Sequence, residues 1–461
     1  MRDELKKIIQ KRQNMIELRW HRRTSHSFVA TKGRVDVAQT ATTEGIGVRA
    51  LVHGAFGFAA TADLSPAAIE RAIDQAERHA AMLAKAKKHR VSLARGRLSR
   101  AQFRGPGYGE LLGMSLSDKL DQVVRYEQQL ANRSSKIHTA RCRYSEIREE
   151  KVIVTSDGAD CSLELVQPEI TFSAIAEDHG SRASSARGAG VVGGWNCLIN
   201  HPSMNHALEE TAQLAVDLTH AKYPEGGLKT VILSPGVVGL LCHEAIGHTV
   251  EADFVKAGSV AQGRMGTPVA SPLVTLVDSG KDPTFGYAAG MLPFDDEGVE
   301  TEETVIINSG ILSSYLHNRE TAHEFQVEPT GNARAWLYYD EPLIRMRNTY
   351  IRPGQDVLDT MIAGINDGYF VDGSGGGQAD ANGEFMFSIG HLWRIKNGKK
   401  TELLRESTLS GIAFDVMKTV DAVSQEFRWD LGTGYCGKGQ AAKVDAGGPY
   451  VRCKILVGGQ G

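Results

Sequence analysis

The stretch that decides the fold is SPGVVGLLCHEAIGHTVEADF, residues 234–254. Ser234 suits a helix N-cap and Pro235 suits the first helical position, so the sequence predicts a helix that begins here. The valines and leucines, together with Ile246, predict that this helix is buried. Two histidines and a glutamate inside such a helix are unusual, because buried polar groups are costly unless they are paired or bind a ligand.

These polar residues are His243, Glu244 and His248, in the pattern H-E-x-x-x-H. The familiar zinc pattern, H-E-x-x-H, places its histidines one helical turn apart. Here the histidines are five residues apart, and on a straight helix their side chains diverge by about 140°. A π-bulge brings residues i and i+5 onto one face, and Gly247 would ease that distortion. The alternative is two core histidines, each hydrogen-bonded to a separate partner.

A metal at this helix needs a third ligand, since catalytic zinc usually has three protein ligands and an open position. Glu251 lies three residues beyond His248 and is close by helical spacing. Cys436 lies in the glycine-rich stretch LGTGYCGKGQ, which could bring a thiolate to the helix. The spacing leaves both candidates open. The remaining cysteines are predicted to be structural: Cys142, Cys161, Cys197, Cys242 and Cys453.

The length of 461 residues predicts about three domains. Helical and strand-like patterns predict an α+β protein, in which N-terminal α/β segments precede a β-rich C-terminal domain that carries the metal-binding helix. We place the domains at residues 1–100, 101–225 and 226–461. A Gly-Pro-Gly stretch within residues 91–110 marks the first boundary.

Charge and composition exclude several classes of partner. The net charge is −3, so no basic field indicates nucleic acid. No run of 18 apolar residues indicates a membrane partner, and the charged N-terminus, MRDELKKIIQKRQ, is not a signal peptide. Six scattered cysteines form no disulfide framework, which favours a cytoplasmic setting.

Several stretches together resemble the TldD/PmbA family of metallopeptidases, and the resemblance covers nearly the whole chain. They are EGIGVRA (44–50), GAFGFAATAD (54–63), HEAIGHTVEADF (243–254), FDDEGVETE (294–302), EPTGNARA (328–335), RMRNTYIRPG (345–354), GGGQADANGEFMF (375–387) and GTGYCGKGQ (432–440). Because the HE motif is intact, the chain resembles the catalytic TldD-type subunit, since the PmbA (TldE) type lacks these ligands.

The resemblance implies one zinc ion per catalytic subunit, held by His243, His248 and Cys436. It implies that Glu244 is the catalytic base, which takes a proton from water and passes it to the leaving amine. It also implies a paired subunit, either a related PmbA/TldE-like chain or a second copy of this one, and a substrate that is an unfolded peptide.

Two further motifs carry expectations. The glycine-rich run GSGGGQ (373–378) precedes no helix and lacks GK[ST], so it is not a phosphate loop. We expect Gly375, Gly376, Gly377 and Gln378 to form an edge to which an extended peptide adds as a strand. Acidic residues 295–297 match no calcium loop, and we expect an exposed turn there.

The sequence therefore predicts a zinc-dependent metallopeptidase that hydrolyses unfolded or extended polypeptides, in proteolysis or peptide maturation. The main alternative is a non-catalytic polypeptide-binding subunit in which the metal is structural. An open coordination position with Glu244 in reach favours the enzyme, whereas a fourth protein ligand favours the alternative.

Overall fold

The computed structural model describes residues 1–281 and 288–459. Residues 1–225 form one seven-stranded sheet with helices packed on it. Its strands are β1 (Met15–Thr31), β2 (Arg34–Val52), β3 (Ala55–Thr61), β4 (Gln102–Arg104), β5 (Ile137–Thr155), β6 (Asp160–Asp178) and β7 (Ser181–Gly190). The helices are α1 (Arg2–Ile9), α2 (Pro66–Ala86), α3 (Tyr108–Gly113), α4 (Leu116–Ala131), α5 (Trp195–Ile199) and α6 (Ala207–Leu218), with a 3₁₀ turn at Pro202–Met204.

Local sequence explains the ends of these elements. β1 and β2 are joined by Lys32 and Gly33, both at positive φ (55° and 70°), which is the geometry of a two-residue hairpin that matches strand twist. The Ser65 hydroxyl accepts a hydrogen bond from the Ala68 N–H, and Pro66 occupies the first turn of α2. Ser65 and Pro66 therefore determine where α2 begins.

The strand order is β3-β2-β1-β5-β6-β4, with β7 paired to β6. β1 pairs with β5 along 15 residue pairs, from Glu17↔Thr155 to Thr31↔Arg141. The sheet therefore runs through both N-terminal segments, although each segment packs its own apolar cluster against it. The domain boundary at residue 100 stays a prediction.

Residues 226–459 contain all the other strands of the described chain. They are β8 (Gly227–Leu233), β9 (Leu276–Ser279), β10 (Glu303–Asn308), β11 (Ile311–Leu312), β12 (Ala333–Arg334), β13 (Leu343–Ile344), β14 (Asn348–Ile351), β15 (Asp367–Ala379), β16 (Glu384–Lys396), β17 (Lys399–Leu404), β18 (Ser407–Ile412), β19 (Ala422–Trp429), β20 (Tyr435–Gly437), β21 (Ala441–Lys443) and β22 (Asp445–Val457). The helices are α7 (Pro235–Leu240), α8 (Ala252–Lys256), α9 (Arg319–Phe325), α10 (Leu358–Ala363) and α11 (Ala413–Lys418).

The main C-terminal sheet has the order β11-β10-β9-β14-β22-β18-β16-β15-β8. β8 pairs with β15 on one edge and with β22 on the other, so five strands close into a ring. α7 packs against β22 and β15, and its apolar residues join those strands in the largest apolar cluster. The predicted α+β class with a β-rich C-terminal part is confirmed. Among the described helices, none has the length and apolarity that a membrane span requires.

The acidic residues 295–297 lie at the junction between the two sheets, and the expectation of an exposed turn is wrong. Asp296 and Glu297 are 5% and 0% exposed. Asp296 Oδ1 lies 3.0 Å from Lys151 Nζ on β5, and Glu297 pairs with Arg49 on β2. Cations that project from the N-terminal sheet therefore neutralise this turn and allow its burial.

Candidate metal centre

The helix predicted over residues 234–254 is not regular. α7 continues into a π-helical turn over Leu241–Gly247, followed by a 3₁₀ turn over His248–Val250. The backbone N–H of His248 donates to the carbonyl of His243, which is the i→i+5 hydrogen bond of a π-bulge. The predicted distortion between the two histidines is confirmed.

This distortion brings the two imidazoles together at Cys436. Their ring centroids are 5.2 Å apart, with the planes at 82°. His248 Nε2 lies 3.2 Å from the Cys436 Sγ. One ligand atom from each of His243, His248 and Cys436 lies within 4.8 Å of the others. The structure thus juxtaposes the three residues predicted to bind zinc.

The chemistry of these residues fits a zinc ion. Both ring nitrogens of His243 are buried and have no hydrogen-bond partner among the described residues. An unpartnered buried imidazole is costly, and a metal bond would satisfy one of its nitrogens. Burial raises the pKa of Cys436, but the neighbouring His243 and His248 lower it to about 4, so the thiolate is favoured. Thiolate and imidazole ligands are those that zinc prefers.

Cys436 is placed by a short hairpin in which β20 pairs with β21. The buried Arg345 guanidinium holds this hairpin, because it donates to the Cys436 carbonyl at 2.6 Å and to the Gln440 carbonyl at 2.7 Å. On the other side, the Tyr435 hydroxyl donates to Glu169 on β6 at 3.1 Å. The N-terminal sheet and the segment between β13 and β14 therefore both hold the cysteine loop.

Glu244 lies beside the three-residue cluster. Its Oε2 is 3.7 Å from His248 Nε2, the same nitrogen that faces Cys436. The Glu244 side chain is 24% exposed, so solvent reaches it. A carboxylate on the ligand side of the imidazole is placed to accept a proton from a molecule at the cluster.

Glu251, the alternative third ligand, lies on the opposite side of the same ring. Its Oε2 is 3.6 Å from His248 Nδ1. Burial raises the pKa of Glu251, whereas the neighbouring His248 and Lys438 lower it by a larger amount. The pKa of Glu251 is therefore below its ordinary value. The geometry favours Cys436 over Glu251 as the third ligand.

Sequence reasoning missed Lys438, whose Nζ contacts Glu251 at 2.7 Å. The signal was present, because Lys438 lies two residues after Cys436 in the GKGQ stretch.

The glycine-rich run forms the second half of β15. β8 pairs with β15 only along residues 369–371, whereas β16 pairs along most of β15, with an irregularity between Ser374 and Gly377. Residues 375–378 are exposed, and no strand in the described part of the chain pairs with their other edge. β15 also contacts the π-helical turn.

The sequence matches three family models in chain order. They are PmbA/TldA metallopeptidase domain 1 over residues 16–80, the central domain over 109–223 and the C-terminal domain over 226–459. The chain belongs to the PmbA/TldD metallopeptidase family. The resemblance seen in the sequence motifs is therefore confirmed.

Named relatives agree with this assignment. A Methanocaldococcus jannaschii protein named metalloprotease is 32% identical, over 93% of this chain and 93% of its own length. A Saccharolobus solfataricus protein named zinc metalloprotease TldD homolog is 35% identical, over 56% of this chain and 57% of its own. The crystal structure of TldE from Thermococcus kodakarensis shares the fold, with a TM-score of 0.80 at 19% identity over 99% of this chain and 100% of that chain.

Proposed function

We propose that this TldD-type chain is a zinc-dependent metallopeptidase that hydrolyses unfolded or extended polypeptides, in proteolysis or peptide maturation. The observation that carries the proposal is the convergence of His243, His248 and Cys436, in which both ring nitrogens of His243 have no hydrogen-bond partner among the described residues. These three residues hold one zinc ion. Three protein ligands leave a coordination position open, which favours an enzyme over a subunit with a structural metal.

Bound zinc would supply Lewis acidity for the hydrolysis of a peptide carbonyl. Glu244 Oε2 would accept a proton from the attacking water and deliver it to the leaving amine. Its 3.7 Å distance from His248 Nε2 places the carboxylate at the ligand side of the ring, and its partial exposure admits water. The backbone of the π-helical turn and of the 3₁₀ turn after it holds His243 and His248, so the position of Glu244 relative to the two proposed ligands is fixed.

The substrate binds as an extended strand. A peptide that pairs with the free edge at residues 375–378 finds backbone N–H and C=O partners there, and Gly375, Gly376 and Gly377 offer no side chains that would select a sequence. Gln378 supplies an amide at the end of this edge. Such main-chain recognition suits a peptidase that acts on many unfolded sequences, because a folded substrate has no free strand to offer.

The chain works in the cytoplasm with a paired subunit, either a related PmbA/TldE-like chain or a second copy of itself. The fold shared with TldE supports this pairing. No nucleic acid or membrane is part of the proposed function, in keeping with the net charge of −3.

The test is the substitution Glu244→Gln, which keeps the size of the side chain and removes its base. We expect cleavage of a flexible fluorogenic peptide to fall by about 10²–10⁴-fold while bound zinc is unchanged. Glu324→Gln is the matched control, since Glu324 lies on α9 and pairs with Lys256. Full activity of the Glu244 variant would refute the assigned role, and loss of zinc would make Glu244 a ligand instead.

A further inference from the structure

The carboxylate of Glu251 is completely buried, yet it faces the ring of a proposed ligand. Its Oε2 lies 3.6 Å from Nδ1 of His248, whereas Nε2 of that ring faces Cys436 at 3.2 Å. The imidazole therefore lies between the ligand cluster and a negative charge. We propose that Glu251 and Lys438 form a positioning pair, which sets the ring orientation of His248 and ties the cysteine loop to the helix.

Each proton of the Lys438 ammonium group has an acceptor. Its Nζ lies 2.7 Å from Glu251 Oε2, 2.8 Å from Asp253 Oδ1 and 3.0 Å from the carbonyl oxygen of Ile344. Three acceptors match the three protons of the ammonium. Because Lys438 is two residues from Cys436, one side chain connects the loop of one proposed ligand to the segment that carries another.

The backbone around Glu251 is fixed independently of this ion pair. The 3₁₀ turn ends at Glu251, where ψ changes to 123°. The Leu316 N–H donates to the Val250 carbonyl at 2.9 Å, and the Ala252 N–H donates to the Leu316 carbonyl at 3.0 Å. These two hydrogen bonds lie on either side of Glu251 and fix its backbone. The Glu251 side chain therefore projects toward His248 from a fixed backbone position.

A buried carboxylate of this kind requires a counter-charge, and Lys438 supplies it. A carboxylate behind a metal-ligating imidazole fixes the ring and strengthens the ligand, and its loss usually costs about 10–100-fold in metal affinity. Asp253 shares the same lysine, but its side chain is 38% exposed and is not paired with His248. The two carboxylates therefore make a matched comparison.

The inference rests on the proposed zinc site, and its test measures zinc binding itself. Zinc-free full-length protein is titrated with zinc against a fluorescent chelator. We expect Glu251→Gln and Lys438→Gln each to weaken zinc binding by about 10–100-fold and Asp253→Asn to change it by less than about threefold. The double variant Glu251→Gln/Lys438→Gln should bind no more weakly than the weaker single variant, because the two residues act as one unit.

A second readout separates positioning from a general loss of stability. With cobalt as the probe, Glu251→Gln should alter the d–d absorption bands, whereas Asp253→Asn should leave them as in the unchanged protein. The double variant buries no charge, so it decides the question if a single variant does not fold. Wild-type affinity in the double variant, or single-variant losses that multiply, would overturn the pair. Failure of the unchanged protein to bind zinc would overturn the proposed function as well.

Discussion

Gly247 is the position where a single methyl group tests the metal centre most directly. Its backbone is right-handed helical (φ −56°, ψ −49°), so alanine introduces no backbone strain there. A Cβ at this position would lie 1.9 Å from Met346 Sδ and 3.2 Å from the Cys242 carbonyl oxygen. Ordinary contact begins near 3.4 Å, so the sulfur has to retreat by about 1.5 Å.

Two effects of Gly247→Ala oppose each other. Alanine favours a helix by about 1 kcal/mol over glycine. Overpacking of a filled core costs about 1–3 kcal/mol, and Met346 is 0% exposed, so its side chain cannot move into solvent. Because the sulfur has to move so far, we expect a steric cost in the upper part of this range, about 2–3 kcal/mol, and therefore a net loss of about 1–2 kcal/mol. The melting temperature should then fall by about 2–4 °C per kcal/mol. Because His248 is the next residue, zinc affinity should fall too.

The assay compares thermal unfolding and zinc affinity of Gly247→Ala with those of Gly109→Ala. Gly109 is an exposed helical glycine with nothing within 4 Å of its Cβ position, so the control isolates the effect of the methyl group itself. In a Met346→Ala background, the obstructing sulfur is gone and Gly247→Ala should cost nothing further. Wild-type stability and zinc affinity in the single variant, or the same loss in both backgrounds, would refute the steric argument.

Two other perturbations follow from the site and the core. Cys436→Ser should weaken zinc binding by more than about 100-fold. The control is Cys197→Ser, which changes a free cysteine outside the cluster and should leave zinc binding unchanged. If metal analysis finds the same zinc content in both variants, Cys436 is not a ligand. Burial lowers the pKa of four histidines to about 4. Between about pH 6.5 and pH 4 the unfolded chain therefore binds more protons than the folded chain. The stability of the metal-free protein should fall as the pH decreases through this window, by up to about 1.4 kcal/mol per histidine per pH unit. These histidines are His21, His201, His317 and His391. A melting temperature that stays constant from pH 7 to pH 5 would contradict the second expectation.

Spacing within one helix was enough to predict the distortion at the metal centre. His243 and His248 cannot share a face of a straight helix, and Gly247 marks where the helix departs from α geometry. The start of a helix also depends on neighbouring residues, since Ser65 and Pro66 determine the start of α2. These features depend on residues that are near one another in sequence.

Features that depend on distant partners could not be predicted in the same way. The acidic residues 295–297 have the composition of an exposed turn, but in the folded chain Arg49 and Lys151 from the N-terminal sheet pair with Glu297 and Asp296. The Asp295 carboxylate instead accepts hydrogen bonds from backbone N–H groups. The position of Lys438 two residues after Cys436 places it in the cysteine loop, but its pairing with Glu251 could not be predicted, because the two residues are 187 positions apart. A single sequence shows charges but not their partners, and the partner decides whether burial is tolerable.

The extra residue in H-E-x-x-x-H changes which pair of side chains shares a turn. Glu244 and His248 are related by i,i+4, which places them together on an ordinary helical face, and their side chains are 3.7 Å apart. His243 would then point away, and the π-turn brings it back to the same side as His248. Helical spacing therefore positions the proposed base, while the distortion positions the proposed ligand. A regular helix with this spacing could provide one of these functions but not both.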